Sequence, residues 1–446
     1  MTDKKIKPIL DQNACDFSAT GNNDIDALIQ QRLNTLGPTS VLFYREPLEM
    51  VRGEGVWLYD STGNTYLDAY NNVAVLGHSH PAVANAVAEQ LTKLNTHSRY
   101  LDRNSHDYAS KLLSTLPLKN ARLVLTCTGS EANDLAIRLA QIATGEQGII
   151  VSEAAYHGNT YLVNQVSPAS CKKLPDWVAT FSLDALRDET LSLADASAFI
   201  QKQICQALQT LKDKGYGCAA LLADSIFSSD GVFALPSGFL NAAVDEVRAA
   251  GGLFIADEVQ PGFGRTGDAL WGFMRHSTSD TQLLPEIVTF GKPMGNGYPV
   301  AGLVATQDLL QKFADEDGYF NTFAGSHVAI AAAQAVFDTV HSEQLQLNAQ
   351  QTGVFLKNAL IMLKNNFPQI AHVRGAGLFI GVDIVNLKGE PDAGLTNTII
   401  NDMRQHGVLI GAAAKDGSTL KIRPPLCFKQ QHAEQFIAVL SQVLQQ

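Results

Sequence analysis

Short apolar runs punctuate the middle of the chain. Leu253-Phe-Ile-Ala256 and Ile287-Val-Thr-Phe290 are the sharpest, each rich in β-branched or aromatic residues and each stopping abruptly at a polar group. A run without polar alternation reads as a strand covered on both faces, as in a parallel sheet between helices. Residues 123–126, 148–151, 219–223 and 299–305 have the same character. After the run at 123–126, Ala132, Leu135, Ala136, Leu139, Ala140 and Ala143 recur at helical spacing and define one buried helix face. Strands alternating with helical segments from about 70 to 310 predict an α/β fold with a mainly parallel sheet.

The flanks read differently. Residues 50–52, 56–59 and 66–68 suggest a β-meander with its turn at Asp60-Ser-Thr-Gly63-Asn64. A short helix is expected over 24–36, ending at Gly37-Pro38, and another over 82–94, started by Pro81. After Asp315 the pattern changes to an alanine-rich helix over 327–340, strand-like stretches at 373–383 and 420–425, and a last helix carrying Ala433, Phe436, Ile437, Leu440 and Leu444 on one face. The expected division is a large domain over 70–315 and a smaller α+β domain formed by 316–446 with the N-terminal segment 1–69.

Composition narrows the function classes. The 446 residues are enough for two domains, and 46% hydrophobic against 17% charged describes a well-buried globular chain. Lys plus Arg is 33 and Asp plus Glu is 44, so the net charge is 33 − 44 = −11. That balance argues against nucleic acid or an anionic membrane as partner. No apolar run approaches the length of a membrane span, and residues 1–8 have no apolar core of a secretory signal behind them. Cys15, Cys127, Cys171, Cys205, Cys218 and Cys427 form no C-x-x-C pair, which fits reduced thiols in a cytoplasmic enzyme. His78 and His80 stand close together, but no carboxylate or cysteine joins them at ligand spacing, so no metal site is expected.

The chemistry sits where the runs stop. The first ends in Asp257-Glu-Val-Gln260, the second in Gly291-Lys292-Pro293. Ligands of open α/β sheets bind outside the carboxyl ends of the strands, so an acid and a lysine would face one crevice. A lysine can form a Schiff base with the aldehyde of pyridoxal phosphate, while an acid keeps the pyridine nitrogen protonated. A structural ion pair at the sheet rim would look the same. Gly129 and Ser130 fall at a strand-to-helix turn, either an anion site made of free amides and a helix dipole or an ordinary capped helix start. Tyr156, after the run at 148–151, could stack on a flat ring or simply fill space.

Taken together, these motifs resemble the class III pyridoxal-phosphate aminotransferases of fold type I. The likeness runs from about Tyr44 to the C-terminus through Gly77-His78-Ser-His80-Pro81, Thr128-Gly-Ser-Glu-Ala-Asn133, Tyr156-His157-Gly158, Asp257-Glu-Val-Gln260 with Gly262-Phe-Gly-Arg265, and Gly291-Lys292. The resemblance implies that Lys292 carries the cofactor and shuttles the proton, that Asp257 pairs with the ring nitrogen, and that Gln260 meets the ring hydroxyl. It implies phosphate binding by Gly129 and Ser130, stacking by Tyr156, and His157 among the cofactor residues. Thr322 is expected to reach the phosphate of a neighbouring subunit, which makes a homodimer with a shared site.

Two positions depart from the family pattern. Where many members carry an arginine three residues before a Pro-Pro pair, this chain has Lys421, with Arg423 directly before Pro424. Where many carry a glutamate that parks that arginine, it has Ser229. Tyr44 and Trp57 join Lys421 and Arg423 as expected substrate-binding residues. Asn95-Thr-His-Ser-Arg99-Tyr-Leu101 and Lys421-Ile-Arg-Pro-Pro-Leu-Cys-Phe428 are similar to the subgroup of alanine–glyoxylate aminotransferases and ethanolamine-phosphate phospho-lyases. The implied reaction is amino transfer from an amine or amino acid to an oxo-acid such as pyruvate or glyoxylate. The alternative is phosphate elimination from a phosphorylated amino alcohol, since lysine and arginine both bind phosphate.

Overall fold

The computed structural model describes residues 14–15, 21–171, 173–187, 191–279 and 281–446; the leading segment 1–8 discussed above lies outside them. Three sheets organise the described residues. The first joins β1 (Met50–Glu54), β2 (Trp57–Asp60) and β3 (Thr65–Asp68) as an antiparallel meander. The turn between β2 and β3 is held by Asp60, whose carboxylate accepts from the amides of Thr62 and Asn64 at 3.0 and 2.8 Å.

The central sheet has seven strands: β4 (Ala121–Thr126), β5 (Gly148–Ser152), β6 (Val178–Phe181), β7 (Cys218–Asp224), β8 (Leu253–Asp257), β9 (Ile287–Phe290) and β10 (Ala301–Thr306). Their order is β4-β10-β9-β8-β7-β5-β6. The runs that lack polar alternation are buried on both faces, as expected of a sheet between helix layers. Strands β9, β8, β7, β5 and β6 are parallel. Strand β10 is the exception: it lies between β4 and β9 and runs antiparallel to both. Its link from β9 is only Gly291 to Val300, too short for the crossover that a parallel neighbour requires.

The last strands are β11 (Ile370–Ala376), β12 (Phe379–Ile384), β13 (Val408–Leu409), β14 (Gly411–Ala413) and β15 (Thr419–Ile422). The stretch read as one strand over 373–383 is the hairpin β11–β12. It folds back at Gly377, whose φ of +54° suits a glycine and where a Cβ would stand 2.4 Å from the Arg265 carbonyl oxygen. Strands β11, β12, β15 and β14 make the third sheet, while β13 pairs in parallel with β3 and so ties the meander to the C-terminal third. Several helices went unread in the sequence, among them Leu193–Asp213, Asn241–Ala249 and Leu345–Lys364. No helix among the described residues is long and apolar enough to cross a membrane.

Candidate active site

Parallel pairing brings the carboxyl ends of β7, β8 and β9 to one rim. Asp224 lies beside Asp257, and Asp257 beside Thr289. Asp257 is almost wholly buried, and three groups contact its carboxylate. Oδ1 accepts from the Val259 amide at 3.0 Å; Oδ2 accepts from Asn133 Nδ2 at 2.9 Å and stands 2.7 Å from His157 Nδ1. Its neighbour Asp224 is held above the usual carboxylate range by burial first and by Asp257 second. One strand further along the rim, Lys292 follows β9 with a φ of +21°, an unusual backbone angle for a residue with a side chain. Burial, then Arg423, lowers its ammonium from the ordinary range to about 8, against the opposite pull of Asp257 and Asp224.

Lys292 opens into a cavity also lined by Tyr156, Ser229, Gln260, Lys421 and Arg423. The sequence reading placed these six together, and the fold does bring them together. It did not find the walls supplied by Phe43, Tyr70, Ala169, Gly411 and Ala412, which come from four further segments with no motif to mark them. Gly129 and Ser130 form the first turn of the helix Gly129–Thr144, packed against Gly291 and Gly158. Thr128 caps that helix and Glu131 closes the capping box, so neither carries the amides of Gly129 and Ser130, which have no partner among the described residues. A Cβ on Gly291 would stand 3.1 Å from the Gly129 nitrogen, and one on Gly158 would meet Ser130 Oγ at 2.5 Å. The glycines thus keep a bare backbone cradle beside Lys292.

Lys421 and Arg423 approach the cavity from β15 and the residue after it. Lys421 is buried, and burial, then Arg423, holds its ammonium well below the ordinary range. Arg423 stacks on Tyr70, its guanidinium carbon 4.5 Å from the ring centre, and donates to Gln260 Oε1. Gln260 in turn donates to Ser228 Oγ at 2.6 Å and lines the cavity. Neither Lys421 nor Arg423 has an ion pair among the described residues, and Arg423 Nε is buried without a partner. Arg265, which the motif supplied without a role, is buried and donates to the carbonyls of Leu378 (3.2 Å) and Pro424, fixing the backbone beside Arg423.

Of the expected site residues, Asp257, Gly129, Ser130, His157, Tyr44, Trp57 and Thr322 do not line this cavity. The ring of His157 is buried behind Asp257 and does not line the cavity, so it meets the acid and not the ligand space. Tyr44 is buried with its hydroxyl on the Ile410 carbonyl at 3.3 Å; the adjacent Phe43 lines the cavity instead. Trp57 packs edge-on against His432, with ring centres 5.9 Å apart, and also misses the cavity. Thr322 is exposed and lies outside the cavity of its own chain. The paired histidines are structural: His78 sits 2.7 Å from the buried Asp68, and His80 caps the helix Pro81–Lys93.

A desolvated amine and an aromatic side chain at the cavity, with an acid at the neighbouring strand end and two free amides at a helix start beside Gly291, fit an aldehyde, a flat cationic ring and a phosphate. Comparison with known proteins agrees. Residues 44–444 match the family described as aminotransferase class-III. An alanine–glyoxylate aminotransferase 2-like protein of Drosophila melanogaster is 38% identical over 425 residues, covering 92% of this chain and 85% of that protein. An ethanolamine-phosphate phospho-lyase homolog of Caenorhabditis elegans is 36% identical over 440 residues, covering 94% and 93%. Among solved structures, a phospholyase from Arthrobacter in complex with phosphoethanolamine matches with a TM-score of 0.87 and 40% identity, over 94% of this chain and 99% of that one.

Proposed function

The chain belongs to the class-III aminotransferases, and from that premise we propose that it moves an amino group from an anion-bearing amine or amino acid to an oxo-acid such as pyruvate or glyoxylate. The family's cofactor is pyridoxal phosphate, which when bound supplies an electron sink for the bonds at the substrate Cα. Asp257 holds the ring nitrogen protonated, Gly129 and Ser130 bind the phosphate, and Tyr156 covers the ring. Lys292 carries the cofactor and then takes the proton from the substrate Cα; its lowered ammonium range makes the free amine accessible near neutral pH.

The observation that carries the substrate class is the pair Lys421 and Arg423. Two cations without an ion pair face the space beside Lys292, and a substrate anion would supply the missing charge. The same observation favours a second reading, elimination of phosphate from a phosphorylated amino alcohol. A phosphate can use two cations, and Ser229 stands where a parking carboxylate would repel it. Thr322 supports a homodimer: it is exposed in one subunit, next to the exposed Phe320 and Phe323, as a residue serving a neighbour's site would be. Six free cysteines fit a cytoplasmic setting.

One assay separates the two reactions. The loaded enzyme is given amino acids, a neutral amine and phosphoethanolamine, each with pyruvate and with glyoxylate, and alanine, glycine and free phosphate are measured. Alanine or glycine in excess is the expected result. Free phosphate without either overturns amino transfer in favour of elimination. Light scattering on the same sample checks the assembly, and an active monomer would remove Thr322 from the site.

A further inference from the structure

Asn133 is wholly buried and touches no ligand space, yet all of its polar atoms are committed. Its Nδ2 donates to Asp257 Oδ2 at 2.9 Å and to the His157 carbonyl at 2.8 Å; its Oδ1 accepts from Thr289 Oγ1 at 2.6 Å. The orientation of the amide is unambiguous, because a carboxylate and a carbonyl can only accept. Thr289 lies on β9, three residues before Lys292, and is itself wholly buried. The relay Thr289–Asn133–Asp257 therefore joins the strand that ends at the amine to the acid on the neighbouring strand. His157 closes it from the other side, with its backbone carbonyl on Asn133 and its ring on Asp257.

We propose that Asn133, anchored by Thr289, is the positioning residue that fixes the Asp257 carboxylate in one frame with Lys292. The proposal rests on Asp257 as the partner of the ring nitrogen. The physical reason is reach. Asp257 can rotate about its side-chain bonds, and two of its acceptor positions are already used by Val259 and His157. The Asn133 donor removes the remaining freedom, so the carboxylate meets the ring nitrogen without reorganising. A residue that merely filled the core could be replaced by an apolar one of similar size without affecting the bound cofactor.

The test uses Thr289→Val, Thr289→Ser and Asn133→Ala in the full chain. Cofactor affinity and the pH dependence of the visible band of the bound cofactor are read without substrate, so a wrong assignment of the reaction does not affect them. Asn133→Ala should weaken cofactor binding or kcat by roughly 10- to 100-fold, the range seen when an outer partner of a positioned ligand is lost. It should also move the pH transition of the band while substrate KM stays near its original value. Thr289→Val should act in the same direction, and Thr289→Ser, which keeps the hydroxyl, should restore the original band. The combined Thr289→Val, Asn133→Ala variant should be no worse than Asn133→Ala alone. If the variants only lower the melting temperature, with band and cofactor affinity unchanged, the proposal fails. It fails equally if the two losses add in full. Should Asn133→Ala not fold, the Thr289 pair decides by the same band.

Discussion

The two sides of the cavity are built to different standards. On the sheet side, Asp257 accepts from Val259 and Asn133 and is backed by His157, and Asn133 is tied in turn to Thr289. On the opposite side, Lys421 has no ion pair among the described residues, while Arg423 leans on Tyr70 and Gln260 with its Nε unpartnered. A buried donor without an acceptor is costly, and so is a buried cation without an anion. The contrast teaches which side the protein completes by itself and which it leaves for a ligand to complete. The sheet side holds a permanent guest and can be fixed in advance. On the proposed function the other side would admit and release anions, and its cations would be met by the substrate.

The comparison breaks most visibly at Lys292. Lys292→Ala should still bind pyridoxal phosphate through the sheet-side contacts, but turnover should fall by several orders of magnitude, because both the covalent and the proton-transfer roles are lost. Borohydride treatment of the unmodified enzyme followed by peptide mapping should label Lys292. A label on any other lysine would place the amine elsewhere and dissolve the contrast.

A smaller effect is expected on the open side. Arg423→Ala or Lys421→Ala should raise KM for anionic substrates by an amount worth ~1.5–3 kcal/mol, the range for a hydrogen bond to a charged group. Neutral amines should be nearly unaffected, and cofactor affinity should hold. Arg423 is expected to matter more, since its planar fork can grip an anion at two points. Kinetics on an amino acid, a neutral amine and phosphoethanolamine measure the split. Equal losses on all three would mean that neither cation reads the substrate anion.

The same asymmetry governs what the sequence could tell. The sheet-side groups sit at the ends of apolar runs, where Asp257 and Lys292 are conspicuous and the topology forces them together. Gly129 and Ser130 were equally legible, because a strand followed by a helical period marks the turn between them. The unforeseen walls of the open side come from residues 43, 70, 169 and 411–412, which share no local pattern and meet only through tertiary packing. Hence Phe43, and not the expected Tyr44 beside it, lines the cavity, and the expected Trp57 packs against His432. The ring of His157 meets Asp257, a direction the motif does not give, since it fixes adjacency to the site and not where the ring points. The antiparallel β10 followed from a link too short for a crossover, a count that the sequence already contained.

The smallest effect expected couples the two sides. Burial lowers the Lys292 ammonium to about 8, and Arg423 is the next cause, ahead of the opposing pull of Asp257 and Asp224. At that value about a tenth of the amine is free base at pH 7, compared with well under ~0.1% for an ordinary lysine. The rate at which the apoenzyme takes up pyridoxal phosphate should therefore rise about tenfold from pH 7 and level off above ~9, since only the free amine attacks the aldehyde. The sign for stability follows from proton counts. Between about 8 and the ordinary value of 10.5 the unfolded chain binds more protons at this lysine, so its contribution to folding becomes more favourable as pH rises through that window. Below about 8 the buried amine weighs against folding in full. Arg423→Ala removes a like charge, so the midpoint of the uptake profile should move upward and uptake at pH 7 should slow. Stopped-flow absorbance across pH 6 to ~10.5 measures both profiles, bracketing the ordinary lysine range. A rate that is still climbing at the top of that range in the unmodified enzyme would mean that Lys292 is solvated like any surface lysine. A midpoint indifferent to Arg423→Ala would mean that the open side does not tune the closed one.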